Sequence, residues 1–426
     1  MTAHPTARPY DDDASDVEAH GGIHDGIHDD GTLAPRPRSG GVPHAPQKGQ
    51  AMRARDVFFL STDADSMGGS QRVIHTLAQG LGARGHRVTL VGINPSRQPQ
   101  TYVTDPVYRH LTLYDTPAPE ASPRSLPWRR GRPRRAPREV AAARTRLLRL
   151  TDQVRRGYLV VASPWAAHWI ADLPLPHIAK VGQYHQSYAE AVDSPNLRLI
   201  KKYYAHFDKA LFLCDDYAAA FAGHRLANCG TMLNPVGIFP ERAAPLRNPR
   251  IVSAGRLVRV KRIDLLIDAF AAAAPSVAER WELHIIGDGP LRAALEAQAW
   301  QTGLGDRIVF RGQVADVEAE YLDASIVTLS SDFEGWGLVL AEGAACGLPA
   351  VASDASAGVR TLVRDGDNGV LAEPGNAGSF AAALERLMSD AELRRAMGAR
   401  GRERMGEYRL PRVLDRWEAL FDEIDR

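Results

Sequence analysis

The chain has 426 residues, of which 44% are hydrophobic and 24% are charged, and its formal net charge is +1. This length and composition predict a globular protein of two or three domains with a sizeable core. Three scattered cysteines, Cys214, Cys229 and Cys346, argue against a disulfide framework or a zinc site, and no apolar run approaches the ~18 residues of a membrane span. With a polar N-terminus that does not resemble a secretory signal, the chain is expected to be cytoplasmic.

Residues 1–50 are predicted to be a disordered tail. They contain six prolines, many Asp and His residues and few large apolar residues, so they cannot bury enough surface to offset the entropy of ordering. His20, His24 and His28 are four residues apart and would chelate a metal if they lay on a helix. The surrounding glycines argue against a helix, and a plain tail is favoured.

From Asp56 onward the pattern alternates between short apolar strands and amphipathic helices. The first helix is expected near residues 70–83, and Pro-rich residues 234–248 would link two such regions. This alternation predicts α/β architecture, with two doubly wound Rossmann-like domains facing each other across a cleft. Strands are predicted near residues 57–60, 87–93, 159–162, 178–184 and 210–213, and again near 251–254, 283–286, 308–310, 326–329 and 350–352.

An Arg-rich segment lies within the first of these regions. Residues 124–138 contain seven arginines and no acidic residue, and Trp128 lies among them. Such a segment could bind an anionic membrane surface or an anionic acceptor, or it could be a solvated insertion. No nucleic-acid recognition motif accompanies it, so no nucleic acid is expected as a partner.

Two carboxylates stand eight positions apart in residues 333–342, which read Phe-Glu-Gly-Trp-Gly-Leu-Val-Leu-Ala-Glu. An apolar strand precedes this stretch, and an apolar helix begins within it. A strand, a Gly-rich turn and a helix in this order form an anion site, because free N–H groups and the helix dipole favour phosphate. Glu334 near the turn and Glu342 deeper in the helix would each bind a polyol. A nucleotide sugar offers a sugar and a ribose joined by diphosphate.

This stretch resembles the E-x7-E signature of the retaining GT-B glycosyltransferases of family 4. Four further segments are similar to motifs of that family. The resemblance is almost continuous from about residue 251 to 371 and weaker in the N-terminal half. The four segments are residues 67–72 (Met-Gly-Gly-Ser-Gln-Arg), 253–256 (Ser-Ala-Gly-Arg) followed by Lys261, 285–290 (Ile-Ile-Gly-Asp-Gly-Pro) and 309–312 (Val-Phe-Arg-Gly).

The resemblance implies a role for each site residue. Arg256 and Lys261 would neutralise the donor diphosphate, a task that Mg²⁺ performs elsewhere. Glu334 would contact the sugar, Glu342 the ribose, and His185 would lie over the donor sugar and matter for catalysis. Donor binding would also use backbone groups and close approach at Gly68, Gly69, Gly287, Gly337, Leu338 and Val339.

No metal and no cofactor are expected, since the nucleoside diphosphate sugar is a substrate. Asp63-Ala64-Asp65 has the spacing of a D-x-D metal site, but that site belongs to a different glycosyltransferase architecture. A nicotinamide oxidoreductase is disfavoured because no G-x-G-x-x-G follows the first strand.

Four regions are predicted: the tail at 1–50, a domain at 51–240, a second domain at 241–408, and a helix at 409–426. The resemblance implies that the first domain is on the acceptor side and contains the Arg-rich insertion, that the second binds the nucleotide sugar, and that the last helix crosses back to the first domain. The expected reaction moves a hexose from a nucleoside diphosphate sugar, most simply a UDP-sugar, to a hydroxyl of a lipid-linked or polymeric cell-envelope acceptor. The sequence around His185 resembles the subset that acts on teichoic acids and other cell-surface polymers.

Peripheral association with the inner face of the cell membrane is a further expectation. Three alternatives stay open: a GT-B nucleotide-sugar epimerase, a glycoside phosphorylase, and a non-catalytic sugar-nucleotide-binding protein.

Overall fold

The computed structural model describes residues 54–117 and 137–426. The tail predicted at residues 1–50 and nearly all of the Arg-rich segment therefore lie outside the described residues. Within the described ranges, no helix is both long enough and apolar enough to span a lipid bilayer.

The N-terminal domain is built on a seven-stranded parallel sheet with the order β3-β2-β1-β4-β5-β6-β7. Its central strands are buried along most of their length, as expected when helices cover both faces of a parallel sheet. The strands are β1 (Asp56–Asp63), β2 (Arg87–Asn94), β3 (Arg109–Thr112), β4 (Gly157–Val161), β5 (Ile178–Gln183), β6 (Lys209–Phe212) and β7 (Cys229–Thr231). The helices are α1 (Gly69–Ala83), α2 (Pro137–Thr151), α3 (Pro164–Ile170), α4 (Tyr188–Val192), α5 (Asn196–Tyr203), which a 3₁₀ turn (Tyr204–His206) extends, and α6 (Asp215–Ala222).

The C-terminal domain repeats this plan with a six-stranded parallel sheet of order β10-β9-β8-β11-β12-β13. The strands are β8 (Arg250–Ala254), β9 (Glu282–Ile286), β10 (Ile308–Gly312), β11 (Ile326–Leu329), β12 (Ala350–Ser353) and β13 (Gly369–Ala372). The helices are α7 (Ile263–Ala273), α8 (Arg292–Gln301), α9 (Val317–Leu322), α10 (Leu338–Ala345), α11 (Ala357–Leu362), α12 (Ala377–Ser389) and α13 (Ala391–Arg404), with 3₁₀ turns at Arg259–Lys261, Ala274–Ser276 and Met405–Tyr408. The predicted fold class is confirmed.

The last helix, α14 (Leu410–Asp425), leaves the C-terminal domain and packs on the N-terminal one. Trp417 is fully buried and meets the Phe59 ring edge-on at 6.2 Å between centroids. Arg84, which caps the C-terminus of α1, pairs with Asp415 at 2.7 Å and with Glu418 at 2.8 Å. This helix therefore contributes to the core of the N-terminal domain.

The chain crosses between the domains twice, and the two crossings lie side by side. The first crossing follows β7, and the second lies just before α14. The Val236 N–H donates to the Tyr408 carbonyl at 2.9 Å, and Val236 forms an isolated parallel bridge with Arg409. A backbone hydrogen bond thus ties the two crossings together.

Each sheet reverses its strand order beside its first strand, between β1 and β4 and between β8 and β11. In open parallel sheets, ligands bind outside the carboxyl ends of the strands at such a reversal. The segments that follow β1, β5, β8, β9 and β11, including the start of α1 and helix α10, contain the residues predicted to form the site. They meet between the two domains, where Trp336 and Leu340 join the same apolar core as the N-terminal domain.

Candidate active site

The turn between β11 and α10 forms the centre of the site. Gly337 caps the helix with a φ of +94°, a conformation that glycine adopts without strain. The N–H groups of Leu338 and Val339 open the helix, and such first-turn groups have no partner inside a helix. Together with the helix dipole they make this turn suitable for a phosphate group.

Lys261 lies beside this turn and pairs with Glu334, with 2.6 Å between Nζ and Oε2. The Ser330 hydroxyl donates to the Lys261 carbonyl at 2.8 Å, and the Asp332 N–H donates to the Val260 carbonyl at 2.9 Å. These bonds join the segment after β8 to the turn after β11. A cation and a carboxylate are therefore held at the start of α10.

Arg256 follows β8, and its side chain is exposed. It forms no ion pair with any residue in the described part of the chain, unlike the neighbouring Arg262, which pairs with Asp264 and Asp332. Arg256 thus remains available for an anionic ligand, whereas Arg262 braces the loop.

Gly287 supports this arrangement through close backbone approach. Its φ is +123°, and a Cβ atom there would clash with the Gly255 carbonyl. The Gly287 N–H donates to the Gly312 carbonyl at 2.7 Å, so it is already engaged. Gly287 therefore positions the segment that contains Arg256, and its own N–H is not free for the donor.

The glycine loop after β1 faces this turn from the N-terminal domain. Tyr102 clamps the loop: its hydroxyl accepts from the Gly68 N–H at 2.9 Å and donates to the Ser66 carbonyl at 2.6 Å. The Gly68 N–H is thus already engaged in a hydrogen bond within the protein. Gly69 begins α1 and lies across from Leu338, because a Cβ atom at Gly69 would be 3.8 Å from a Leu338 methyl group.

The D-x-D sequence stabilises the same loop. Asp63 accepts from the Ser66 N–H at 2.9 Å and from the Asp65 N–H at 3.2 Å, which is the geometry of an Asx turn. Burial raises the pKa of Asp63, and the carboxyl group of Asp65 adds to this shift. Within residues 54–117 and 137–426, no three His, Cys, Asp or Glu side chains are grouped as metal ligands.

His185 follows β5 and lies against the same turn, since a Cβ atom at Gly335 would clash with the His185 carbonyl. Both ring nitrogens are buried and lack a hydrogen-bond partner. Burial lowers the pKa of His185 to about 4, and Asn234 opposes this shift without meeting hydrogen-bond geometry. The ring is therefore neutral near pH 7 and has hydrogen-bonding capacity left for a ligand.

Glu342 is held from both domains. Its Oε1 accepts from Arg72 Nη1 at 2.6 Å, and its Oε2 accepts from the Tyr321 hydroxyl at 3.2 Å. Burial raises the pKa of Glu342, whereas Arg72 and Tyr321 oppose that shift. The carboxylate predicted to bind ribose is thus buried and bonded to a cation of the opposite domain.

The structure brings His185, Lys261, Glu334 and the start of α10 together, with Arg256 on the neighbouring loop. Sequence reasoning assigned no role to two residues of this region, Arg72 and Tyr321. Arg72 closes the N-terminal glycine motif, and its position on the first turn of α1 was the available signal. Tyr321 lies in α9, outside every motif, and no sequence signal pointed to it.

Two family models match adjoining halves of the chain. The model described as Glycosyltransferase Family 4 matches residues 67–242, and Glycosyl transferases group 1 matches residues 238–404. The first match contains the glycine loop and His185. The second contains Arg256, Lys261 and both carboxylates of the E-x7-E element.

Relatives and solved structures agree with these matches. An exopolysaccharide phosphotransferase from Streptomyces coelicolor is 27% identical over 387 residues, which are 86% of this chain but 41% of that protein. An uncharacterized glycosyltransferase from Haemophilus influenzae is 25% identical over 375 residues, covering 86% of this chain and 100% of the relative.

Among solved structures, Anabaena HepE in complex with UDP and glucose superposes with a TM-score of 0.67 at 17% identity, covering 87% of this chain and 100% of HepE. At this identity the likeness concerns the fold. With the two family models together spanning residues 67–404, the chain belongs to the GT-B glycosyltransferases of group 1.

Proposed function

We propose that this protein is a retaining, metal-independent glycosyltransferase. It moves a hexose from a UDP-sugar to a hydroxyl group of a lipid-linked or polymeric cell-envelope acceptor. The observation that carries this proposal is the Lys261–Glu334 pair at the start of α10, with the unpartnered ring of His185 against the same turn. Similar proteins support the donor and acceptor classes, since HepE was solved with UDP and glucose and the Streptomyces relative is named for an exopolysaccharide.

Each group has a task in this reaction. The diphosphate would lie at the N–H groups of Leu338 and Val339, where Lys261 and Arg256 stabilise the charge that develops on the leaving oxygen. Lys261 would then exchange part of its contact with Glu334 for a phosphate oxygen. Glu334, released in this way, would accept hydrogen bonds from hydroxyl groups of the transferred sugar.

In this reaction no protein group acts as a nucleophile. The acceptor oxygen forms a bond to the anomeric carbon on the face from which the diphosphate leaves, and the acceptor proton passes to the departing phosphate oxygen. The protein supplies positioning and charge stabilisation. Neutral His185 would hydrogen-bond the donor sugar rather than stabilise charge.

A thermal-shift screen of UDP-, GDP-, ADP- and dTDP-sugars tests the donor. A ligand at 100 times its dissociation constant should stabilise the fold by about 2.7 kcal/mol. A shift with UDP-sugars that Glu334→Gln abolishes is expected. Shifts with the other sugars alone would overturn the choice of base, and loss of activity in EDTA would overturn the metal-independent reaction.

Product analysis separates the proposed activity from the alternatives. Donor and candidate acceptor are incubated with the enzyme, and the anomeric configuration of the product is read by NMR. Transfer with retention is expected. Isomerised donor would indicate an epimerase, sugar 1-phosphate formed from a glycan and phosphate would indicate a phosphorylase, and binding without turnover would indicate a non-catalytic binding protein.

A further inference from the structure

Glu342 and Arg72 form an ion pair between two domains, 270 residues apart in sequence. The side chain of Glu342 is 2% exposed, whereas that of Arg72 is 45% exposed. Arg72 lies on the first turn of α1, where its N–H donates to the Gly68 carbonyl at 3.1 Å. The glycine loop therefore places the guanidinium group against α10.

We propose that Arg72 is a positioning residue that keeps Glu342 ionised and oriented for the donor ribose. The inference rests on the proposed function, in which Glu342 binds that ribose. Because Arg72 belongs to the N-terminal domain, the ribose site is complete only when both domains meet. The domain assigned to the acceptor would thus also contribute to donor affinity.

The physical reason is the cost of burying an unpaired carboxylate. Burial without a partner favours the neutral form of a carboxyl group, which accepts weaker hydrogen bonds than the ionised form does. Arg72 is the cation that contacts Glu342, and Tyr321 adds a neutral donor. A carboxylate has about four lone-pair positions, so two can serve ribose hydroxyl groups while Arg72 and Tyr321 occupy the others.

The other ionisable groups around Glu342 do not replace Arg72. Cys346 caps the C-terminus of α10, four residues after Glu342, and Glu342 helps to raise the pKa of its thiol. Glu318 on α9 and Arg402 on α13 also act on that thiol, but neither bonds to Glu342. Strands β11 and β12, which pack against α10, have no charged residue.

The first experiment measures the charge on Glu342 without any donor. Infrared spectra of Arg72→Gln near pH 6 should show a buried neutral carboxyl band that is absent from the parent protein. The band should disappear in the double variant Arg72→Gln/Glu342→Gln. Its absence from Arg72→Gln would overturn the inference, whatever the donor is.

The second experiment measures UDP binding by calorimetry between pH 6 and 8. The terminal phosphate of UDP titrates in this range, so parent and variant are compared at each pH. When the pH falls from 8 to 6, we expect the UDP affinity of Arg72→Gln to fall about tenfold more than the UDP affinity of the parent. A tenfold difference corresponds to a shift of one pKa unit on Glu342. Arg72→Lys should restore most of the loss, which a purely structural role of the guanidinium would not predict.

Arg84→Gln is the matched control, because Arg84 caps the other end of α1 and pairs with Asp415 and Glu418 of α14. It should bind UDP as the parent does at each pH. Equal affinity and pH dependence in Arg72→Gln and the parent would overturn the inference. Failure of the parent to bind UDP would instead overturn the proposed donor, and the infrared result would still decide the role of Arg72.

Discussion

A protein cation pairs with each carboxylate of the E-x7-E element. Lys261 pairs with Glu334 from the same domain, and Arg72 pairs with Glu342 from the opposite domain, both at 2.6 Å. In the proposed reaction, these contacts would hold both carboxylates in place before the donor binds. Preorganisation of this kind reduces the rearrangement that must accompany binding and reaction.

Replacing Lys261 with Ala should lower turnover by a factor of ~10² or more, because charge on the leaving diphosphate loses a fixed partner. Steady-state kinetics with the donor identified by thermal shift would measure this. Arg259→Ala is the control, since Arg259 is an exposed cation in the same 3₁₀ turn and forms no ion pair with the described residues. Near-normal turnover in a folded Lys261→Ala variant would remove Lys261 from the reaction.

His185 should make the fold less stable as the pH falls. Its folded-state pKa of about 4 lies below the ordinary value of ~6.5, so between these values the unfolded chain binds a proton that the folded protein does not. Between pH 8 and 5, His185→Gln should therefore lose about 2 kcal/mol less unfolding free energy than the parent.

Urea denaturation at both pH values measures this difference. The other histidines are common to both proteins, so their contributions cancel in the comparison. Equal losses in parent and variant would mean that the His185 ring reaches water in the folded state.

The sequence motifs pointed to residues that the structure brings together, but they did not reveal how these residues pair. The motifs identified Lys261, Glu334 and Glu342, because their spacing and residue types match a recognisable pattern. The contact between Arg72 and Glu342 joins residues 270 positions apart and depends on how two domains meet. The engaged N–H of Gly68 also depends on Tyr102, which no local pattern connects to the glycine loop.

At the scale of elements, the apolar pattern predicted ten of the thirteen described strands and the first helix, and the family resemblance predicted the last helix. It missed β3, β7 and β13, whose sequences are RHLT, CGT and GVLA. RHLT and CGT each contain a single apolar residue among polar or small ones, so they show neither an alternating nor a continuous apolar pattern. The edge position of these strands in their sheets follows from pairing, which a local pattern does not contain.

The turn before α10 has no room for a side chain at position 335, which Gly335 occupies. A methyl group there would clash with the His185 carbonyl, so Gly335→Ala should push the turn away from the N-terminal domain. Because a misplacement of ~1 Å can cost about 10²-fold in rate, we expect a loss of that order in turnover.

Thermal unfolding of the same variant should show that its free energy of unfolding is lower than that of the parent by about 1–3 kcal/mol, an amount typical of overpacking. Gly406→Ala serves as the control, since a methyl group at Gly406 would enter open space. Full turnover in Gly335→Ala would show that the turn tolerates separation from His185.

For the whole molecule, we expect the positive charge of the N-terminal half to serve the acceptor side and that of the C-terminal half to bind the donor. The Arg-rich segment belongs to the N-terminal half, whereas the cations predicted to meet the diphosphate belong to the C-terminal half. Replacing Arg129, Arg130, Arg134 and Arg135 with Gln should leave UDP-sugar binding intact. It should weaken association with anionic vesicles or an anionic polymer, and more so at low salt, because screening acts beyond a Debye length of ~8 Å at physiological ionic strength.

Co-sedimentation over a salt series measures this effect. A control with the same change of net charge replaces four exposed arginines of the C-terminal half, Arg242, Arg247, Arg280 and Arg395. Binding that is absent in the parent, or equal in the two variants, would leave the segment as a solvated insertion.

The paired crossings at Val236 and Tyr408 have a mechanical consequence. Two connections set far apart would lock the domains, and a single connection would let them swivel in every direction. Two connections that lie together form a hinge and leave the domains one principal degree of freedom, rotation about that hinge. Opening the cleft should then change any two interdomain distances in a fixed ratio, which paired spin labels on each domain would measure. A ratio that varies with donor concentration would show that the domains also twist.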